Sequence, residues 1–384
     1  MSGAVKGPAS RVVHAGRSRG RTVGPVIEKG STVLMPNAAA LYDETQVTYG
    51  RGGLASQEAL AEALCELEGA TRVRLFPSGL SAVTGSLLAV LKAGDDLLVT
   101  DAIYKPTRRF CDHVLVRFGV TPRYYDPTLS AGGLESLLTP KTRLILMESP
   151  GSLTFEMQDS PGVARMARSR GVLTLLDNTW AAGFWFQPLA HGVDISIQAL
   201  TKYIGGCSDI FMGSAATANP DLAIALDHAV RDVGWSVSPE DAYELLRGLR
   251  SLPVRLERHQ QSGLEVARWL SARFEVAQVL FPALPGTRGH DIWRRDYAGA
   301  AGLFTFVLTP RPAAAAPTFL DALEVFRLGF SWGGFESLAL HCDPQFGGRS
   351  HVPKLAGPAI RLSIGLEDPE DLMADLERGF SAIA

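Results

Sequence analysis

Two short apolar runs near the middle of the chain, residues 172–176 and 195–200, show no clear alternation with polar residues. Such runs, β-branched or leucine-rich, predict strands buried in a parallel sheet. The first run is followed by Asp177 and the second by Thr201 and Lys202. Because open α/β sheets bind ligands at the carboxyl ends of their strands, we expect an acid and an amine to meet at one ligand-binding edge.

Strands and helices alternate over the first part of the chain. Predicted strands cover residues 73–76, 97–100, 123–125 and 143–147, and predicted helices cover residues 57–67, 80–91, 107–118 and 163–170. Ser56 and Gly69 supply the start and stop signals of the first helix. This alternation predicts an α/β fold with a large, doubly wound, mostly parallel sheet.

A helix begins at Ser238 with a cap, a proline and two acids, and we expect it to break or kink before Pro253 and to end near residue 272. Beyond it, strands are predicted at 302–309, 326–330 and 360–364, and helices at 317–323 and 369–383. We therefore expect an N-terminal arm (residues 1–45), a large domain (46–250) and a small α+β C-terminal domain (251–384).

Composition narrows the function classes. The chain has 384 residues, 46% hydrophobic content, a net charge of −3 and a pI near 6.3, which argues against nucleic acid as a partner. No apolar run reaches membrane-spanning length and no signal segment opens the chain, so we expect a soluble cytoplasmic protein. The four cysteines, Cys65, Cys111, Cys207 and Cys342, are widely spaced and expected to be reduced. No metal-ligand spacing occurs, so no metal is expected.

The residue types at the predicted edge suggest one cofactor. Pyridoxal 5'-phosphate (PLP) needs a lysine for its Schiff base and an acid that keeps its ring nitrogen protonated, and Lys202 and Asp177 suit these roles. Taken alone, the pair leaves another interpretation open, because an Asp at a strand end often caps a helix and a lysine beside two glycines is often merely solvated.

Three stretches carry a family resemblance: LLDNTWAAG (residues 175–183), SIQALTKYIGG (196–206) and SDIFMG (208–213). They resemble the Cys/Met-metabolism family of PLP enzymes, and the resemblance extends from about Val47 to the C-terminus. It implies the PLP-dependent transferase-like fold (fold type I) with a seven-stranded sheet. It also implies that Lys202 carries PLP, that Asp177 pairs with the ring nitrogen and that Thr201 contacts the phosphate.

Further cofactor contacts follow from the same resemblance. Tyr49 and Arg51 of the YGR run would reach the PLP phosphate of a neighbouring subunit, and the basic arm would lie on that subunit. Gly79 and Leu80, at a strand-turn-helix junction, would offer backbone N–H groups to the phosphate. Tyr104 would stack on the cofactor ring and handle the substrate's amino proton. A homo-oligomer with dimer-built active sites, expected to be a homotetramer, is implied.

The C-terminal domain supplies the expected substrate side. Arg361 would bind the substrate α-carboxylate, and Ser331 and Trp332 would lie beside the substrate. The resemblance is greatest to the family's β-lyases, with Trp332 as the main reason, although Phe330 replaces a tyrosine. It implies α,β-elimination from L-cystathionine, giving L-homocysteine, pyruvate and ammonia in methionine biosynthesis. A γ-elimination or γ-replacement enzyme and a non-catalytic homologue remain as alternatives.

Overall fold

The computed structural model describes residues 7–17, 22–43 and 45–384. The strands in these ranges are β1 (Arg72–Phe76), β2 (Asp96–Thr100), β3 (Thr121–Tyr125), β4 (Thr142–Glu148), β5 (Leu173–Asp177), β6 (Ile195–Ala199), β7 (Gly213–Thr217), β8 (Val276–Leu280), β9 (Leu303–Leu308), β10 (Arg327–Leu328), β11 (Leu338–His341) and β12 (Ala359–Ser363). Every strand of the first half that the sequence predicts is present.

The α-helices in the same ranges are α1 (Pro8–His14), α2 (Ala55–Glu68), α3 (Gly79–Val90), α4 (Lys105–His113), α5 (Ala131–Glu135), α6 (Ser160–Ser169), α7 (Pro220–Val233), α8 (Pro239–Ser271), α9 (His290–Asp296), α10 (Ala315–Asp321) and α11 (Pro369–Ala382). Short 3-10 helices fill several connections, including Leu115–Phe118 after α4 and Thr179–Ala181 after β5.

Seven strands form the first sheet, in the order β1-β7-β6-β5-β4-β2-β3. All neighbours pair in parallel except β7, which is antiparallel to both β1 and β6. The prediction of a doubly wound, mostly parallel sheet is confirmed. The sequence analysis missed β7 because its residues are small, GSAAT, and offer no apolar run.

The central strands β2, β4, β5 and β6 are largely buried on both faces, which explains why they read as apolar runs. Leu98 on β2 and Ile145 on β4 pair in register and pack into one core, whereas Leu97 and Leu144 pair in register and pack into a second core on the opposite face. Helix α2 adds Leu60 and further apolar side chains to the first core. Strand ends at the carboxyl edge are therefore held in place from both sides.

A second sheet of five strands, in the order β10-β11-β12-β9-β8, lies in the C-terminal part of the chain. Its pairs are antiparallel except β10 with β11. Helices α8, α10 and α11 contact its strands or one another. Strands β8 and β11 were not predicted, because their residues alternate weakly and lie close to turns.

Helix α8 connects the two sheets and runs from Pro239 to Ser271 without interruption. A break before Pro253 is therefore wrong, because the backbone stays helical through this residue, whereas a kink at this point stays a prediction. Its neighbours Leu252 and Leu256 are fully buried, and their packing offsets the hydrogen bond that a proline cannot donate. The division at residues 250 and 251 stays a proposal that places the domain boundary inside one helix.

The N-terminal arm makes contacts within its own chain. Helix α1 packs on α2 and α8, Val12 is buried, and Arg250 Nη1 donates to the carbonyl oxygens of Val12 and Val13 at 3.0 and 2.8 Å. Part of the arm thus shares a core that its sequence did not indicate. The basic residues Lys6, Arg19 and Arg21 of the arm lie outside the described residues.

Within the part of the chain that the structure describes, no helix combines the length and apolar character needed to cross a bilayer. The same residues contain no group of three or more His, Cys, Asp or Glu side chains that could hold a metal ion. All four cysteines are unpaired.

One buried acid links α2 to the sheet. Glu68 is fully buried, accepts a hydrogen bond from Ser196 Oγ at 3.0 Å and is also bonded by Gln198 Nε2. Burial raises the pKa of Glu68 from 4.5 to about 7 in spite of these donors. Because the folded state binds this proton more tightly than the unfolded state, stability is lost as pH rises from about 4.5 through about 7.

We expect Glu68→Gln to remove most of this pH dependence and to stabilise the protein above pH 7, by on the order of 3 kcal/mol. The amide needs no proton, and Gln198 Oε1, which is buried without a partner, can accept from it. Chemical denaturation at about pH 5 and about pH 8 measures the change. Glu62→Gln, on the exposed face of α2, is the control and should leave the pH dependence as it is.

Candidate active site

Lys202 lies just beyond the carboxyl end of β6, where the sequence predicts it. Its Nζ donates to Ser331 Oγ at 2.8 Å and lies 5.3 Å from the centroid of the Trp332 ring. Burial, and then the positive charge of Arg361, lower the pKa of Lys202 from 10.5 to about 8. An amine with this pKa can release and take up a proton near neutral pH, as a general base requires.

Asp177 is the last residue of β5, directly beside Glu148 in β4 and Ile197 in β6. Its Oδ1 accepts hydrogen bonds from the Thr179 backbone N–H at 3.1 Å and from Thr179 Oγ1 at 2.5 Å. Burial raises the pKa of Asp177, and the two Thr179 bonds and the charge of Lys202 oppose this rise. Oδ2 has no protein donor in the described residues, so it is available to a ligand.

Glu148 and Tyr104 complete the same edge. Glu148 Oε2 accepts the Tyr104 backbone N–H at 2.7 Å, and Ser152 Oγ donates to the other oxygen. Burial and the neighbouring charge of Asp177 raise the pKa of Glu148. The Thr179 bonds favour the ionised form of Asp177, whereas the pKa of Glu148 is raised to about 8, so Glu148 keeps its proton at neutral pH.

Arg361 reaches the site from β12 in the second sheet, where it pairs with Leu340 and Thr305. It is 7% exposed, and its Nη2 donates to the carbonyl oxygens of Phe330 and Ser331 at 3.1 and 3.0 Å. No carboxylate of the described residues forms an ion pair with it. A buried guanidinium without a counter-ion is costly, so the site is built to receive an anionic ligand group.

The loop that carries Ser331 and Trp332 lies directly against Lys202. At Gly333, which has a φ of +80°, a Cβ atom would come within 3.0 Å of the Tyr203 backbone nitrogen and 3.3 Å of Lys202 Cβ. Only glycine combines this backbone conformation with this close approach. The second sheet therefore closes over the lysine through a glycine turn.

The first turn of α3 begins next to the end of β6. Ser78 caps the helix by accepting from Ser81 N at 3.1 Å, which leaves the N–H groups of Gly79 and Leu80 without an acceptor in the described residues. A Cβ at Gly79 would lie 2.5 Å from Ala199 Cβ, so glycine allows the helix start to touch the end of β6. Free N–H groups at a helix start bind phosphate.

A protein-family model, described as Cys/Met metabolism PLP-dependent enzyme, matches residues 9–381. The chain belongs to this family. A protein of Rhizobium johnstonii is 49% identical over 365 residues, covering 94% of this chain and 91% of that protein. The cystathionine beta-lyase MetC of Escherichia coli is 39% identical over 394 residues, covering 97% and 98% of the two chains. The crystal structure of metB from Corynebacterium glutamicum matches with a TM-score of 0.93, 28% identity and 99% coverage of each chain.

Membership of this family confirms PLP dependence and the fold type I architecture predicted from the sequence. The residues fit the cofactor on three observations. Gly79 and Leu80 offer unpaired N–H groups to a phosphate, Asp177 Oδ2 is open to a protonated ring nitrogen, and Lys202 presents an amine of lowered pKa. The assignment of these residues to PLP remains our proposal.

Three other predicted cofactor contacts are placed less directly. Thr201 Oγ1 donates to Met212 O at 3.2 Å and accepts from Met212 N at 3.1 Å, so its hydroxyl is already engaged with the backbone. Arg51 Nη1 donates to Arg231 O at 2.9 Å, and Tyr49 is 52% exposed. Within the described residues, neither Tyr49 nor Arg51 forms a hydrogen bond with Lys202 or its neighbours. This is compatible with the prediction that both residues reach the active site of a neighbouring subunit.

The sequence analysis missed two residues of the candidate active site, Thr179 and Glu148. Thr179 stands two positions after Asp177, the spacing at which a hydroxyl and an Asp carboxylate form a local turn, so a signal for it existed. Glu148 was recognised only as a strand end. Because β4 and β5 are parallel neighbours, the register that brings Glu148 beside Asp177 becomes visible only in the sheet.

We expect Thr179→Val to weaken PLP binding by about 10-fold or more at neutral pH, because it removes a hydrogen bond to a charged group. With that donor gone, the pKa of Asp177 rises further, so the defect should grow as pH falls. Equilibrium PLP binding at about pH 6 and about pH 8 measures both effects.

Thr179→Ser, which retains the hydroxyl, should restore binding. Thr174→Val is the matched control, because Thr174 lies near the opposite end of β5 from Asp177 and its hydroxyl donates to Asp194. If Thr174→Val and Thr179→Val weaken PLP binding equally, Thr179 has no special role in holding Asp177 ionised.

Proposed function

We propose that the protein is a carbon-sulfur lyase that cleaves L-cystathionine by α,β-elimination, the reaction of a cystathionine β-lyase. L-Cystathionine and water give L-homocysteine, pyruvate and ammonia. The observation that carries the proposal is the contact of Ser331 and Trp332 with Lys202, at 2.8 Å to the hydroxyl and 5.3 Å to the indole centroid. This is the Ser-Trp pair that resembles the family's β-lyases, and the name of the E. coli relative agrees with it.

The side chains of this chain divide the work of the elimination. Arg361, which lacks a protein counter-ion in the described residues, binds the substrate α-carboxylate and so fixes Cα near Lys202. Lys202 Nζ, once free, removes the Cα proton, and the electron pair of the Cβ–S bond leaves with sulfur. When bound, PLP supplies the electron sink that makes the Cα proton acidic. Asp177 keeps a negative charge at the ring nitrogen throughout.

Tyr104 directly precedes α4 at the same edge of the first sheet and is half-buried in the single chain. Its partial burial and the nearby carboxyl groups of Glu148 and Asp177 raise the pKa of its phenol, so the phenol keeps its proton at neutral pH. In this form Tyr104 can stack on the cofactor ring and donate a hydrogen bond toward the substrate amine. The same elimination applied to cystine or cysteine would be a side activity.

We further propose that the active site is shared between two subunits of a homo-oligomer, a homotetramer in its full form. Arg51 is turned toward Arg231 of its own chain rather than toward Lys202. The arm before it exposes large apolar side chains, with Val23 at 76%, Leu34 at 91% and Tyr42 at 85% exposure. Apolar surface of this kind favours burial against another subunit. The unpaired cysteines accord with a cytoplasmic location.

Incubation of the purified, PLP-loaded protein with L-cystathionine should yield pyruvate and homocysteine in equal amounts, because Lys202 removes the Cα proton and sulfur leaves from Cβ. Chromatographic identification of both the oxo acid and the thiol measures this. Lys202→Ala is the negative control. Formation of 2-oxobutyrate and cysteine instead would identify a γ-lyase and would show that Trp332 does not select β-elimination.

A mixture of Arg51→Ala and Lys202→Ala subunits should recover activity that neither variant has alone. In a heterodimer, one site combines an intact Lys202 with an intact Arg51 of the other subunit, so random pairing restores about a quarter of the wild-type activity. Co-expression of the two variants in equal amounts and assay of the unfractionated mixture measures it.

The matched control pairs Lys202→Ala with Asp177→Ala, two residues contributed by the same chain to one site. Every site in that heterodimer is defective, so no activity should return. Recovery in the control, or none in the Arg51 mixture, would contradict a shared active site.

A further inference from the structure

Arg349 is a buried arginine of the C-terminal part that lies outside the proposed catalytic residues. Its side chain is 5% exposed and stands between β11 and β12, in the segment that follows the 3-10 helix Asp343–Gln345. Burial of a guanidinium is costly unless its donors are satisfied, so its partners are informative.

The Arg349 guanidinium contacts two loops of the first sheet. Nη1 donates to Thr154 Oγ1 at 2.7 Å, and Nη2 lies 3.2 Å from Glu156 Oε1, both in the loop between β4 and α6. Nε lies 3.6 Å from Asp101 Oδ2, in the loop between β2 and α4. Asp101 Oδ2 also accepts the backbone N–H groups of Ser350 at 3.0 Å and of the following residue at 2.7 Å.

Both loops lead to Tyr104. Asp101 lies three residues before it on the same loop. On the other loop, Ser152 donates to Glu148, and Glu148 Oε2 accepts the Tyr104 backbone N–H at 2.7 Å. Arg349 Nη1 also contacts the carbonyl oxygen of Ser152 at 3.5 Å. The contacts thus close into a ring that begins and ends at Arg349 and includes the backbone of Tyr104.

The loop between β4 and α6 needs such support. Leu153 and Phe155 have φ angles of 68° and 54°, in the left-handed region that non-glycine residues rarely adopt. A backbone of this kind persists only where its surroundings determine it. Arg349 binds on either side of Leu153, at Ser152 and Thr154, and again at Glu156.

We propose that Arg349 is a positioning residue for Tyr104, acting through Asp101 and through the Ser152–Glu148 contact. This inference rests on the proposed function, which gives Tyr104 its role at the substrate. In this proposal, Arg349 fixes the position of the loop between β2 and α4 relative to the loop between β4 and α6. No contact of Arg349 with the substrate is required.

Kinetic comparison of Arg349→Ala, Arg349→Lys and a control, Arg273→Ala, tests the proposal. Arg273 is also an ion-paired arginine of the C-terminal part, with a 19% exposed side chain, but its partners are Glu275, at 2.9 Å, and Glu377, neither of which lies in the two loops next to Tyr104. Both alanine variants should lower the thermal unfolding midpoint. Only Arg349→Ala should lower kcat, by about 10- to 100-fold, because a small misplacement of Tyr104 affects the reacting atoms.

Arg349→Lys should recover part of kcat, since its single ammonium reaches some of the acceptors, and it carries the test if the alanine variant does not fold. In a Tyr104→Phe background, the loss caused by Arg349→Ala should shrink, because residues that act through one group are not additive. The proposal would be overturned if the kcat of the double variant fell by the product of the two single losses, or if Arg273→Ala lowered kcat as much as Arg349→Ala.

Hydrogen-deuterium exchange separates this inference from the proposed function. The amide of Tyr104 is bonded to Glu148, so residues 101–105 should exchange faster in Arg349→Ala than in the wild type or in Arg273→Ala. If the wild type does not cleave L-cystathionine, the proposed function is wrong, yet the exchange result still decides whether Arg349 holds Tyr104. Unchanged exchange in Arg349→Ala would overturn the inference.

Discussion

The gathering of four ionisable side chains at one edge of the seven-stranded sheet is the constraint on which the rest of the structure depends. Arg361 is buried, and Lys202, Asp177 and Glu148 are partly buried, so charges on them are costly. The free-energy cost of these charges falls when some of the four groups are neutral. With Glu148 protonated and Lys202 able to lose its proton near pH 8, the fixed charges reduce to one cation and one anion.

This arrangement needs both sheets. The parallel sheet supplies the carboxylates and the lysine at the ends of β4, β5 and β6, held by cores on its two faces. The second sheet supplies Arg361, and its loop at Gly333 lies so close to Lys202 that a Cβ on Gly333 would stand 3.3 Å from Lys202 Cβ. Because the charge of Arg361 lowers the pKa of Lys202, the second sheet affects the protonation of the lysine, in addition to the substrate-binding role that we propose for it. The packing of the two sheets is thus part of the chemistry.

The sequence predicted the centre of the site because its physical signals are local. An apolar run that ends in Asp177, and another that ends shortly before Lys202, place both residues at a sheet edge whatever the order of the strands. The glycine turn before α3 similarly predicts free N–H groups. Strand β7 was not predicted, because its small residues form no apolar pattern. The break predicted at Pro253 was wrong, because the packing of α8 outweighs the low helix propensity of proline. Family resemblance, rather than pattern, identified Tyr104.

The residues that escaped share one property: they contact other protein groups rather than a ligand. Ligand chemistry restricts the residue type, so a lysine, an acid or a carboxylate-binding arginine can be recognised at its own position. A supporting contact requires only a complementary pair, and its two members can stand anywhere in the chain. Asp101 and the backbone of Ser350 are separated by 249 positions, and nothing near either residue indicates the other. Such contacts become visible only when the sheets bring their loops together, although they hold in place the side chains that the sequence does reveal.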